Sequence, residues 1–187
     1  MIYTRPYTVA NAIAYARRWA LDRNPLFENY TGRGGDCTNF VSQCILAGSC
    51  KMNFTKDFGW YYLSDTCRSP AWTGVEFFYD FMTQIPEFLN ANRGIGPFGT
   101  EITLTSVRAG DVLQLANELG DFYHTLFVSA VSDGEIYVCA HSDDAIDRPL
   151  SSYNYTNARA IRILGVRGEY DPPCFANLLN GTSLFVN

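Results

Sequence analysis

Three residues in this chain can do nucleophilic chemistry together. They are a cysteine at the predicted start of a helix, Cys37, and the only two histidines, His124 and His141. A thiol at a helix N-terminus sits where anions are favoured, so Cys37 is expected to ionise more easily than in free solution. Facing an imidazole, such a thiol is the nucleophile of a cysteine hydrolase. His124 would take and return the proton, and a polar partner on its far side, His141 or Asp143, would fix its tautomer. The backbone N–H of Cys37 is a candidate oxyanion donor, and Asp36 is the expected N-cap and site support. The aromatic residues Trp60, Tyr61, Trp72 and Tyr123 are candidates for lining a substrate cleft.

The elements that must hold these residues follow from periodicity. Val9, Ile13, Ala16 and Ala20 fall at helical spacing over residues 8–22, before Pro25. After the glycine-rich stretch 30–35, a second helix is expected from Cys37 to about Ala47, with Gly48 as the stop. Residues 49–71 show no period and read as a packed loop. Thr73 and Glu76 form a Ser/Thr-x-x-Glu capping box for a third helix over 74–84, which Pro86 would break or kink. Residues 92–99 read as a loop. Beyond them, 111–116, 122–131, 135–141 and 158–166 are short apolar runs bounded by Gly, Asn and Asp, and read as strands. Helices first and strands after indicate an α+β domain on an antiparallel sheet. It is expected over residues 1–167, with a wrapping or loose tail over 168–187.

Register links the histidines. Ser132-Asp133-Gly134-Glu135 reads as a tight hairpin turn, which sets Leu126 opposite His141 and His124 opposite Asp143. His124 and His141 would then share a face as diagonal neighbours, roughly 7 Å apart. A slip of one residue would send them to opposite faces.

Length and composition bound the rest. With 187 residues, 47% hydrophobic and 18% charged, the chain is long enough for one well-buried core and is neither disordered nor fibrous. A net charge of −5 with only two lysines argues against nucleic acid as partner. No apolar run is long enough to span a membrane. No hydrophobic signal core opens the sequence, so a cytoplasmic location with reduced thiols is the default expectation; a cell-wall or extracellular site of action requires a removed signal. Six cysteines without a Cys-x-x-Cys pair suggest neither a disulfide framework nor a zinc site. Most read as small buried hydrophobes. Asp143, Asp144 and Asp147 lack calcium-loop spacing and read as a solvated acidic loop. No metal or organic cofactor is expected. On these residues alone a cysteine hydrolase is one candidate among several, since Cys37 and His124 also suit a packed core.

Longer motifs narrow the field. Gly34-Gly35-Asp36-Cys37-Thr38-Asn39-Phe40-Val41-Ser42-Gln43-Cys44 resembles the signature of the putative amidase domain family. Gly59-Trp60-Tyr61-Tyr62, Ser69-Pro70-Ala71-Trp72-Thr73-Gly74, Gly110-Asp111-Val112-Leu113-Gln114-Leu115, Tyr123-His124-Thr125 and Ala140-His141-Ser142-Asp143 follow in the family's order. The resemblance spans about residues 7–165. It implies a papain-like fold related to CHAP and NlpC-type cell-wall peptidases, with Cys37 as nucleophile, His124 as base and His141 ahead of Asp143 as third member. It further implies cleavage of an amide bond through a thioester, with peptides or peptidoglycan stem peptides as substrate. The alternatives are a deamidase, transglutaminase or acyltransferase on the same residues, and a binding module without turnover.

Overall fold

The computed structural model describes residues 2–83, 94–169 and 173–184. In chain order its elements are β1 (Tyr3–Arg5), α1 (Val9–Trp19), α2 (Asp36–Ser49), β2 (Tyr62–Ser64), β3 (Cys67–Arg68), α3 (Pro70–Thr73) and α4 (Val75–Thr83). They continue with β4 (Gly96–Ile102), β5 (Val112–Ala116), β6 (Phe122–Ser132), β7 (Glu135–Ala140), β8 (Ala145–Pro149), β9 (Asn157–Gly168) and α5 (Phe175–Asn180). The chain is α+β, with helices packed on an antiparallel sheet. The order β1-β9-β5-β6-β7-β8 forms the sheet, and β4 pairs with the other edge of β9.

Strand alternation buries both faces of this sheet. Val112, Phe127, Cys139 and Ile161 face the helices, while Leu113, Leu115, Leu126, Val128 and Val138 form a second cluster on the opposite face. The centre of the first cluster is α2, in which every residue is buried. This exceeds the single apolar stripe expected of it, because α1, α3, β6 and α5 all pack around it. The helix also runs past Gly48. A Cβ there would meet the Tyr7 ring at 2.3 Å, so this glycine admits a neighbouring ring; Cys50, left-handed at φ 44°, provides the stop.

Several expectations are corrected. The stretch 49–71 holds the β2–β3 hairpin and the start of α3, and Trp60 within it and Trp72 just after it are completely buried. Residues 96–99, expected as loop, begin β4, while residue 92 lies outside the described residues. The capping box before α4 does not form: Thr73 closes α3, and Glu76 pairs with Arg159 on β9 at 3.0 Å. Pro86 lies outside the described residues. Two cysteines read as reduced thiols, Cys50 and Cys174, are joined in a disulfide across 124 residues. This bond, with Trp19 Nε1 donating to Leu179 O at 3.1 Å and Asn24 Nδ2 to Leu178 O at 2.8 Å, docks α5 against α1 and α2. Among the described residues no helix is long and apolar enough to cross a membrane.

Candidate active site

Cys37 occupies the first turn of α2, entered through Gly34, which is left-handed at φ 79°, and Gly35, the N-cap. Asp36 was expected as that cap. It is instead the first helical residue, its carboxylate turned inward and fully buried. It accepts hydrogen bonds from the Tyr30 amide and Asn39 Nδ2, both at 3.0 Å, and from His141 Nδ1 at 3.0 Å, and pairs with Arg23 Nε at 3.1 Å. Burial would raise its pKa, but the donors from His141, Asn39 and Tyr30 outweigh burial and hold it at about 2. A capping role offers one or two donors; this carboxylate collects partners from four separate stretches of chain.

The hydrogen-bond chain continues into the aromatic core. Asn39 Oδ1 accepts from Trp72 Nε1 at 2.9 Å, and Trp72 O accepts from Ser42 Oγ, which itself accepts from Trp60 Nε1 at 3.0 Å. Trp60 and Trp72 therefore hold α2 from behind and do not line a cleft. Tyr61 is also elsewhere, half-buried against Phe54 with ring centroids 5.4 Å apart. On its other side α2 is tied to β6: Thr38 Oγ1 and Thr125 Oγ1 lie 2.9 Å apart. That contact brings the first turn of α2 beside His124.

Cys37 and His124 line one cleft of about 400 Å³, together with Gly35, Val75, Tyr123, Asp143, Arg148 and Tyr153. The expected low thiol pKa is not found. Burial pushes the Cys37 thiol up, and the Thr125 and Thr38 donors offset only part of that. Burial likewise pushes His124 down from 6.5 to about 4; the Asp143 carboxylate works against that shift and the Arg148 cation adds to it. At neutral pH the cleft therefore holds a thiol and an uncharged imidazole.

The two histidines do not share a face. The hairpin turn is as expected, with Asp133 and Gly134 both left-handed (φ 53° and 80°), and Ser132 through Ala130 pair in the expected register with Glu135 through Tyr137. Ser129 is then an extra residue, and beyond it Val128 pairs with Val138 and Phe127 with Cys139. This β-bulge slips the register by one. His124 pairs across to Leu115 on the face of the second cluster, with its ring 6.2 Å from that of Tyr153. His141 turns to the helices, stacked on Phe40 at 4.1 Å. Its Nε2 lies 2.9 Å from Trp19 O and its Nδ1 3.0 Å from Asp36 Oδ2, so both ring nitrogens are engaged and neither reaches His124. Of the two expected orienting groups, Asp143 is the one at the cleft. Arg148 and Tyr153 were not anticipated; a lone Arg on a short edge strand and a Tyr in a coil carry no spacing signal.

The acidic loop is accounted for by ion pairs: Asp143 with Arg148 at 2.6 Å, Asp144 with Arg23 at 2.9 Å and Asp147 with Arg17 at 3.1 Å.

Comparison with known proteins supplies the family. The family model described as putative amidase domain matches residues 6–164. The chain belongs to this family. Amide-bond hydrolysis is the activity class that description carries. Two proteins of Bacillus subtilis (strain 168) are similar in sequence. The uncharacterized protein YjcM is 29% identical over 151 residues, covering 76% of this chain and 32% of YjcM. The uncharacterized protein YhbB is 27% identical over 133 residues, covering 70% of this chain and 39% of YhbB. The chain thus spans well under half the length of the curated relatives it matches. No solved structure gives a significant match.

Proposed function

We propose that this domain is a cysteine amidase of papain-like kind that cleaves peptide amides through Cys37, with peptidoglycan stem peptides as the substrate class. The observation that carries this reading is the shared cleft, whose lining includes a thiol at a helix start, an uncharged imidazole and a carboxylate. His124 accepts the Sγ proton as sulfur bonds to the scissile carbonyl carbon, so the nucleophile is made during attack and not stored as thiolate. The Cys37 N–H, unpaired at the first turn of α2, meets the developing oxyanion. The imidazolium then protonates the amine as the C–N bond breaks, leaving a thioester. His124 next deprotonates a water that attacks the thioester, and the released thiolate recovers its proton. Asp143 holds the imidazole in position and stabilises its charge. Asp36 and His141 act one layer behind, fixing the first turn of α2. The Cys50–Cys174 disulfide suits an oxidising compartment, as a cell-wall substrate would require.

Incubation of wild type and Cys37→Ala with soluble peptidoglycan fragments, followed by mass spectrometry in H2(18)O, tests this. New fragments with one labelled carboxylate oxygen, absent for the variant, are expected. Products equal in both samples would defeat it, and amine-dependent products without label would reassign the site to acyl transfer.

A further inference from the structure

The backbone beside the cleft is strained in a way the reaction so far leaves unexplained. Ser142 and Asp143 are consecutive non-glycine residues with positive φ, 62° and 106°. Each such residue costs roughly 1–3 kcal/mol and persists only where its surroundings hold it. The side-chain partner of Asp143 is Arg148 on β8. Its Nη1 donates to Asp143 Oδ2 at 2.6 Å, its Nε to Ser152 Oγ at 2.8 Å and its Nη2 to Ser152 O at 3.2 Å. Its guanidinium also stacks 4.0 Å above the Tyr153 ring, the same ring that faces His124. A cation so anchored cannot follow Asp143 if the carboxylate moves, so the carboxylate is pinned to the cation.

We propose that Arg148 is a positioning residue that pins Asp143 by one oxygen and leaves the other to receive the N–H of His124. The inference rests on the amidase reading and adds a residue to it. Arg148 lines the cleft but takes no part in the bond-making steps proposed for it. Its role is to make one rotamer of Asp143 persist on a strained backbone, and its charge opposes that of Asp143 at the imidazole. Cys37, Tyr123 and Tyr153 are the remaining titratable groups around His124 at the cleft.

The test is the rate of Cys37 carboxamidomethylation by iodoacetamide, read by mass spectrometry from pH 4 to 8. Its subjects are wild type, Arg148→Gln, Arg148→Lys, Asp143→Asn, the Arg148→Gln/Asp143→Asn double variant and His124→Ala. Arg148→Gln is expected to slow labelling about tenfold, as loss of an outer orienting group commonly does. On top of Asp143→Asn it should add less than about twofold, because it acts through Asp143. The acid limb of the rate should move up in Arg148→Gln and down in Asp143→Asn, following the opposite charges removed. Independent, multiplying effects of the two variants, or an Arg148→Gln profile equal to wild type, overturn the proposal while leaving the amidase reading intact. A His124→Ala rate equal to wild type removes the reading itself. If Arg148→Gln fails to fold, Arg148→Lys decides: it keeps the cation without the anchors to Ser152, so it should leave the acid limb in place and still slow labelling. Unchanged labelling there is refutation.

Discussion

Neutralising the His124 ring at neutral pH has a stability consequence that can be measured without a substrate. The imidazole is held at about 4, against 6.5 for an ordinary histidine, chiefly by burial. Between these values the unfolded chain binds a proton that the folded chain refuses, so stability is complete above pH 6.5 and is lost as pH falls towards 4. At about 1.4 kcal/mol per pH unit, the full loss is about 3 kcal/mol. For a chain of this size that is roughly 6–12 °C in Tm. The perturbation is His124→Gln, and the assay is urea unfolding of wild type and variant at pH 7, 5.5 and 4.5. Comparing the two isolates this histidine from every other titrating group. The wild type should lose about 2 kcal/mol more than the variant across that range, most of the full loss. Parallel curves would show that the imidazole titrates normally in the folded state, and the neutral proton acceptor inferred for the cleft would be refuted.

Other consequences follow from the layers around the site. Asp36→Asn removes a fully buried carboxylate from between Arg23 and His141, and should cost about 3 kcal/mol in urea unfolding at pH 7. With its folded pKa at about 2 against 3.8, the wild-type contribution is present above pH 4 and lost as pH falls through 2, so wild type should lose that stability on acidification and the variant should not. Cys174→Ser opens the disulfide that spans 124 residues, with an expected cost of about 3 kcal/mol read as a fall in Tm. Gly110→Ala places a side chain at φ 93°, with its Cβ 2.6 Å from Val9 Cγ1, and should lower stability by about 2 kcal/mol without altering Cys37 labelling.

The central strands β5, β6, β7 and β9 were legible because short apolar runs and their bounding turn residues are local signals. The strands that escaped are those whose pairing makes them strands: β1 and β2 have three residues each and β3 two, β4 carries two glycines and a proline, and β8 is short and half-exposed. Cys37 and His124 were legible from residue type and element, and they do line one cleft. The relation of His124 to His141 was not, because it turned on Ser129, an extra residue in β6 without a local signature. Asp36 looked like a cap because only its neighbours in sequence were visible. Its true partners, Arg23, Tyr30 and His141, arrive through the tertiary fold. The Cys50–Cys174 bond was hidden for the same reason, as was Arg148.

The most direct test of the central claim, that His124 is the base for Cys37, is the site-resolved rate of Cys37 alkylation at pH 7 in wild type and His124→Ala, with exposed Cys67 as the internal reference. A buried thiol with a raised pKa and no base should label far more slowly than Cys67. With His124 as base, wild-type Cys37 should label at least as fast as Cys67, and His124→Ala should slow Cys37 alone by about a hundredfold. Cys37 labelling that trails Cys67 in wild type and is unchanged in His124→Ala would contradict the account.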